Sequence, residues 1–113
     1  MSFKIKRVYE DPATSDGVRV LVDRLWPRGL GKDSAHLDHW DKDVAPSPAL
    51  RKWFGHEPER FSEFARRYRE ELKSNAALGE LRKLGAKRRV TLLYAAKDPE
   101  VNHAVVLLQA LSK

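Results

Sequence analysis

The sequence predicts an α/β fold: a small single domain with a mostly parallel sheet flanked by helices. Two short apolar segments, VRVLV and RVTLLYAA, have the nearly continuous hydrophobicity of strands that are buried on both faces. Segments with helical periodicity lie between and after them, and alternating strands and helices favour a layered α/β arrangement. The chain has 113 residues, which suits one modest hydrophobic core. We therefore expect one domain over residues 1–113.

The first half of the chain is predicted to be mostly strand and loop. FKIKRVY (3–9) alternates and is rich in β-branched and aromatic residues, which is typical of a strand. EDPATSDG (10–17) has turn chemistry, and VRVLV (18–22) is a buried strand. VDRLWPRGLGK (22–32) then interrupts the apolar run with charge, proline and glycine, so we expect a loop. LDHWDKDVAPSP (37–48) contains either a short strand or an extended segment.

Three helices are predicted in the middle of the chain. PALRKWF (48–54) is a short helix with a proline near its start. EPERFSEFARRYREELKSN (57–75) is the clearest helix, because its apolar residues recur at spacings of 3, 4 and 4. They are Phe61, Phe64, Tyr68 and Leu72. AALGELRKLG (76–85) places leucines at helical spacing, and Gly85 is expected to end that helix in a left-handed conformation.

The last two predicted elements are a central strand, RVTLLYAA (89–96), and a final helix from about residue 99 to 111. Asp98 is expected to cap this helix and Pro99 to occupy its first position. One side of the helix is expected to be apolar, through Val101, Ala104, Val105, Leu108 and Leu111, and Val106 and Leu107 widen this surface, so the helix should be well buried.

Polar side chains follow both predicted central strands. Asp23, Arg24 and Arg28 come after the first, whereas Tyr94, Lys97 and Asp98 come after the second, with Asn102 and His103 early in the next helix. Ligands of open α/β sheets bind beyond the carboxyl ends of the strands. Arginine presents a planar fork suited to carboxylate or phosphate. If the strands are parallel neighbours, the sequence predicts an anion site at this edge. The alternative is that Asp23 pairs with nearby cations and only holds the loop.

Several motifs resemble a known family. KRVY, DGVRVLVDRLWPRGL, WDKDVAPSPALRKWF and LLYAAKDPEVNHAVVL resemble, in order, the YeaO-like proteins, a bacterial group within the domain-of-unknown-function 488 family. The likeness covers roughly residues 4–111. It implies a small cytoplasmic α/β protein but no particular reaction. The matching residues are Asp23, Arg24, Trp26, Pro27, Arg28, Gly29, Lys42, Pro46, Ser47, Tyr94, Lys97, Asn102 and His103.

The leading functional expectation is an anionic small molecule bound at the strand ends. Arg24, Arg28 and Lys97 would hold the anion, with Trp26, Lys42, Tyr94 and Asn102 as further binding residues. His103 would be the acid or base, because histidine titrates near neutrality, and Asp23 would orient these groups or move a proton. A hydrolase or transferase acting on a phosphorylated or carboxylated metabolite is the reaction class we consider.

Two other classes of function stay open. The formal net charge of +6 raises the alternative of a nucleic-acid-binding accessory protein, although the 22 basic residues are mixed with 16 acidic ones. LRKWF (50–54) could be an interaction module if Trp53 and Phe54 formed an exposed anchor.

No metal or cofactor is expected. HLDHWDKD (36–43) has metal-ligating residue types without a helical spacing that would bring them together, and GLGKDS lacks the phosphate-loop pattern. Ser47, between two prolines, is expected to cap a helix or turn rather than to act as a nucleophile. The chain has no cysteine. That absence excludes disulfides and thiolate chemistry and is compatible with the cytoplasm. No apolar run reaches the roughly 20 residues that span a bilayer, so we expect no membrane association.

Overall fold

The structure, a computed structural model, describes residues 2–112. Its centre is a four-stranded parallel sheet with strands β1 (Phe3–Arg7), β2 (Val18–Leu21), β3 (His39–Trp40) and β4 (Val90–Tyr94). The strand order is β1-β4-β2-β3, so β2 and β4 are parallel neighbours in the middle of the sheet. The predicted parallel sheet is confirmed, and the ambiguous segment 37–48 contributes a two-residue edge strand.

Five α-helices surround the sheet: α1 (Lys32–Ala35), α2 (Pro48–Phe54), α3 (Phe61–Lys73), α4 (Ala76–Lys87) and α5 (His103–Leu111). Helix α1 begins at Lys32, the last residue of the predicted loop, and continues through residues 33–35, for which no element was predicted. Short 3-10 turns precede β2, α2 and α3. Among residues 2–112, none of the helices has both the length and the apolar character required to cross a membrane.

The two faces of the sheet are covered unequally. Side chains of β2 and β4 that point to one face pack with α2–α5 in the main core. On the opposite face, Leu21 and Leu93 form a smaller cluster with Val8, against which the partly buried Trp26 and Leu37 pack. The loop after β2 therefore lies over one face while most helices cover the other.

The predicted apolar face of α3 is confirmed. Phe64, Tyr68 and Leu72 are buried, whereas Phe61 is half-buried. The helix begins at Phe61 rather than near residue 57, because a 3-10 turn over Pro58–Arg60 precedes it.

Two further predicted helix boundaries are wrong. Gly85 lies inside α4, which continues to Lys87, and a Cβ built on Gly85 would lie 2.0 Å from the ring of Phe3. The glycine is therefore needed for close packing of β1 on α4 and not for a left-handed stop. Helix α5 begins at His103 instead of about residue 99, because Asn102 is its cap and Oδ1 of Asn102 accepts a hydrogen bond from Val105 N.

The segment 98–101 forms a separate turn before α5. Asp98 Oδ1 accepts hydrogen bonds from the amides of Glu100 and Val101, at 2.9 and 3.1 Å. The predicted buried side of α5 is only partly correct. Ala104, Val106, Leu107 and Leu111 are buried in α5, whereas the remaining three predicted residues, Val101, Val105 and Leu108, are half-buried.

A charge cluster surrounds Asp16, which lies just before the amino end of β2, and its cations come from β1 and β2. Asp16 is fully buried and pairs with Arg19, with Lys4 at 3.2 Å and with Lys6 at 3.1 Å. Burial alone would raise the pKa of Asp16, but hydrogen bonds from the Ala13 amide and these cations outweigh burial and hold the pKa well below its ordinary value. The negative charge of Asp16 is thus balanced by cations of the same chain.

Candidate functional site

A cavity of about 650 Å³ opens beyond the carboxyl ends of β2 and β4. Its walls are the loop after β2, the C-terminal part of α2 with the residues that follow it, and the segment between β4 and α5. Seven of the nine predicted site residues line it: Asp23, Arg24, Trp26, Arg28, Lys97, Asn102 and His103. The parallel pairing of β2 with β4 is what brings these distant parts of the sequence together.

The other two predicted site residues do not line this cavity. The ammonium of Lys42 lies 4.3 Å above the ring of Trp40, so its charge is directed at an aromatic face outside the cavity. Tyr94 is buried in the main core, and burial raises the pKa of its hydroxyl. A residue that ends a strand can point to either face of the sheet, and Tyr94 points to the helical one.

Asp23 and His103 form a close pair at the edge of the sheet. Asp23 Oδ2 accepts a hydrogen bond from the Ala95 amide at 3.1 Å, and Asp23 Oδ1 lies 3.1 Å from His103 Nε2. The same Nε2 lies 3.0 Å from the carbonyl oxygen of Val22. Asp23 is anchored further through its backbone carbonyl, which accepts a hydrogen bond from Trp40 Nε1. The pair therefore joins the ends of both central strands to the start of α5.

Arg24 and Asn102 are used largely for structure. Arg24 donates to the carbonyls of Pro46 and Ala45, each at 3.2 Å, which ties the loop after β2 to the start of α2. Asn102 caps α5 through Oδ1 and donates from Nδ2 to the Asp98 carbonyl at 2.8 Å. Their hydrogen bonds to carbonyls limit what either side chain has left for a ligand.

Trp26 forms part of the cavity wall. Its Nε1 donates to the Leu30 carbonyl at 2.8 Å, and its ring packs edge-on against Trp40. Pro27 beside it is buried, so this part of the loop is held by packing. The indole therefore offers the cavity an apolar surface rather than a hydrogen-bond donor.

Three cations at the cavity lack partners. Arg28, Arg51 and Lys97 line the cavity and are exposed. Within residues 2–112 none of the three side chains makes an ion pair or donates a hydrogen bond. By contrast, Arg66 and Arg67 on the outer side of α3 both pair with Glu63. The charges of these three cavity cations are consequently available to a ligand.

Among the cavity residues that were not predicted as site residues, Arg51 and His56 are the two with basic side chains. Arg51 lies in α2, and His56 follows its end. The orientation of α2 depends on the packing of Leu50 and Phe54 in the main core, where Phe54 stacks on Phe64. The one available signal was Gly55 after a helical segment, which indicates a helix end. His56 itself has a positive φ of 59°, which is uncommon for a residue other than glycine.

The other candidate sites have structural explanations. Ser47 caps α2 by accepting from Leu50 N at 3.2 Å, and its hydroxyl donates to Glu71 at 2.6 Å, as expected of a capping serine. Phe54 is buried, so it cannot be the exposed anchor of an interaction module. Trp53 is half-buried, with the guanidinium of Arg67 4.4 Å above its ring. No group of three or more metal-ligating side chains occurs in the part of the chain that the structure describes.

Fold and cavity together define a small parallel α/β protein with unpaired cations at the carboxyl ends of its central strands. The chain belongs to the family whose model is described as "Inactive DUF488-N3 subclade", which matches residues 2–113. The uncharacterised protein Rv3073c of Mycobacterium tuberculosis is 53% identical over 109 residues, which cover 96% of this chain and 92% of the relative. The uncharacterised protein YeaO of Escherichia coli K12 is 45% identical over 108 residues, covering 95% and 94%. The resemblance inferred from the motifs is thereby confirmed. No solved structure matches the chain.

Proposed function

We propose that this protein binds an anionic small organic molecule, phosphorylated or carboxylated, in the cavity at the strand ends, and that it does so without turning it over. The observation that carries the proposal is the set of three cations, Arg28, Arg51 and Lys97, which line one cavity and pair with no carboxylate of residues 2–112. Guanidinium groups bind carboxylate and phosphate oxygens through paired, charge-assisted hydrogen bonds.

The carboxylates of the same cavity do not neutralise these cations. Asp98 accepts two backbone amides of its own turn, and these hydrogen bonds lower its pKa. Asp23 accepts the Ala95 amide and lies against His103. A cavity of about 650 Å³ is also of the size that takes a metabolite rather than a single ion.

Binding without turnover is supported by the state of Asp23. Its Oδ2 accepts the Ala95 amide, and its Oδ1 is buried 3.1 Å from His103 Nε2 without a hydrogen bond to any of residues 2–112, in a position that a ligand does not reach. The family description carries the word inactive, which is consistent with this view. The competing reaction class, a hydrolase or transferase, is favoured by His103 alone, since an imidazole in a cavity can act as acid or base.

The test is isothermal titration calorimetry with inorganic phosphate and a panel of phosphorylated and carboxylated metabolites. Arg28→Ala should weaken binding about tenfold, because it removes a charge-assisted contact. Arg88→Ala is the matched control. Arg88 is an exposed arginine at the end of α4, before β4, and should leave binding unchanged. Equal affinities of wild type and Arg28→Ala, or no binding by either protein, would reject the proposal.

Two further measurements separate the alternatives. Consumption of a bound metabolite that is lost in His103→Ala would favour the hydrolase or transferase class. A nucleic-acid-binding protein would instead show affinity for DNA or RNA that falls steeply with salt. Its affinity would also be weakened by Arg88→Ala as much as by Arg28→Ala, because phosphate backbones are bound by exposed cations wherever these lie.

A further inference from the structure

We propose that His103 meets the ligand through Nδ1, as the acceptor of a hydrogen bond, and that the site therefore selects anions that carry an O–H beside their charged oxygens. The simplest such anion is monohydrogen phosphate, as opposed to sulfate. The inference rests on the proposed function, because it concerns the same cavity, and it specifies the class of anion within it.

The first step concerns the proton on Nε2. Nε2 of His103 lies 3.0 Å from the carbonyl oxygen of Val22 and 3.1 Å from Oδ1 of Asp23. A backbone carbonyl only accepts hydrogen bonds, so Nε2 must be the donor to Val22. In the neutral ring the single proton is thus on Nε2, and Nδ1 carries the lone pair.

The second step concerns what Nδ1 faces. The His103 side chain lines the cavity and is 17% exposed, and Nδ1 forms no hydrogen bond with any of residues 2–112. One flank of the ring is closed by Tyr68, whose ring lies edge-on at a centroid distance of 6.3 Å. Nδ1 is consequently the ring nitrogen that a ligand can reach, and in the neutral ring it offers an acceptor.

The third step assigns Asp23 a positioning role. Its Oδ2 accepts a hydrogen bond from the Ala95 amide, whereas its Oδ1 lies 3.1 Å from Nε2 of His103 without a hydrogen bond to any of residues 2–112. The carboxylate beside Nε2 therefore favours a proton on that nitrogen, which the Val22 carbonyl accepts as a hydrogen bond, and Asp23 acts on the ligand only through the ring. The sequence-based expectation that Asp23 itself moves a proton is replaced here by action through His103.

The cations and Nδ1 together define the ligand chemistry. Arg28, Arg51 and Lys97 supply positive charge, and His103 supplies an acceptor in the same cavity. An anion without a donor would leave the lone pair of Nδ1 facing a negatively charged oxygen. An anion with an O–H satisfies both, and polar sites reject close analogues that lack the required hydrogen-bonding group.

Monohydrogen phosphate and sulfate are tetrahedral dianions of similar size, and only the first has an O–H. At about pH 8, where monohydrogen phosphate is the main phosphate species, we expect wild type to bind phosphate about tenfold more tightly than sulfate at constant ionic strength. His103→Phe should abolish this preference. Equal binding of the two ions by wild type would overturn the inference while leaving the proposed function intact, whereas binding of neither ion would count against the proposed function itself.

A second measurement needs no variant that might fail to fold. Long-range ¹H–¹⁵N correlation spectra of the wild-type protein report which ring nitrogen of His103 is protonated. We expect the Nε2–H tautomer, and a proton on Nδ1 in the neutral ring would overturn the inference.

The positioning role of Asp23 is tested with Asp23→Asn. An asparagine removes the carboxylate oxygen beside Nε2 and has one acceptor oxygen and one NH₂ donor group to place at the two positions. If the amide oxygen stays on the Ala95 amide, the NH₂ group faces Nε2 and favours the Nδ1–H tautomer. The variant should therefore show more Nδ1–H and a smaller phosphate preference. Asp33→Asn, in the exposed part of α1, is the matched control. An unchanged tautomer and an unchanged preference in Asp23→Asn would remove the positioning role.

Discussion

Replacement of Asp16 by asparagine tests the charge cluster at the amino end of the sheet. Asp16 is fully buried and Arg19 is only 5% exposed, so the variant leaves a buried guanidinium without its anion. Breaking a buried ion pair from one side costs about 3–5 kcal/mol. Lys4 and Lys6 can regain water, since their side chains are 43% and 15% exposed, which favours the lower end of that range. About 3 kcal/mol corresponds to a fall of about 12 °C in Tm for a domain of this size.

The assay is urea unfolding followed by circular dichroism, repeated over a range of pH. Because the folded-state pKa of Asp16 is depressed, its contribution is present above the ordinary value of 3.8 and is lost as the pH falls below it. The difference between wild type and Asp16→Asn should therefore be full at neutral pH and narrow under acidic conditions.

Glu70→Gln is the control for Asp16→Asn, because it breaks an exposed pair with Lys73 and should leave Tm essentially unchanged. Folded Asp16→Asn should also bind phosphate like wild type, since Asp16 precedes β2, the cavity follows it, and none of the cluster's residues lines the cavity. A stability loss below about 1 kcal/mol, or a loss that does not depend on pH, would refute the view that this buried carboxylate holds the cluster together.

Three further predictions concern backbone conformation and capping. Gly79→Ala should stabilise the protein by up to about 1 kcal/mol, because nothing lies near the new Cβ. Gly85→Ala should destabilise it by about 1 kcal/mol, because the new Cβ clashes with Phe3. Thermal unfolding of both variants tests the two opposite effects. His56→Gly should raise Tm by relieving a positive φ of 59°, and should weaken phosphate binding if the imidazole contacts the anion; a lower Tm would contradict the strain argument. Ser47→Ala should cost about 1–2 kcal/mol in urea unfolding, because it removes the cap of α2 and a bond to α3, and an unchanged midpoint would show that the cap is dispensable.

The fold was predictable because its signals are local. The continuous apolar segments at 18–22 and 89–96 identified the two central strands, and the spacing of the aromatic residues in α3 identified its buried face. Helix ends were less predictable. In the sequence, Gly85 follows a segment of helical periodicity, which is typical of a helix end. The reason for the glycine is instead that a side chain there would clash with Phe3, which lies more than 80 positions away in the chain.

The sequence predicted the site residues that strand topology brings together, but not those whose position depends on how a helix or a side chain is oriented. Parallel strands end at the same edge, so the sequence alone was enough to expect Asp23 and His103 near each other. Arg51 could not be expected there, because its direction depends on how α2 packs in the core. Nor could Tyr94 be excluded, because the sequence does not show to which face of the sheet the last residue of β4 points.

Charge is arranged differently at the two ends of this sheet. At the amino end one buried carboxylate, Asp16, is surrounded by three cations of the same chain, so its demand for hydrogen bonds is met without a ligand. At the carboxyl end the cations are the groups that lack partners. Asp23 and Asp98 accept hydrogen bonds from backbone amides, and the cavity's three exposed cations pair with no carboxylate of residues 2–112. Both ends are rich in charge, and what differs is whether the charges already have partners. That difference, more than the net charge of +6, is the reason to seek an anion at one end of the sheet.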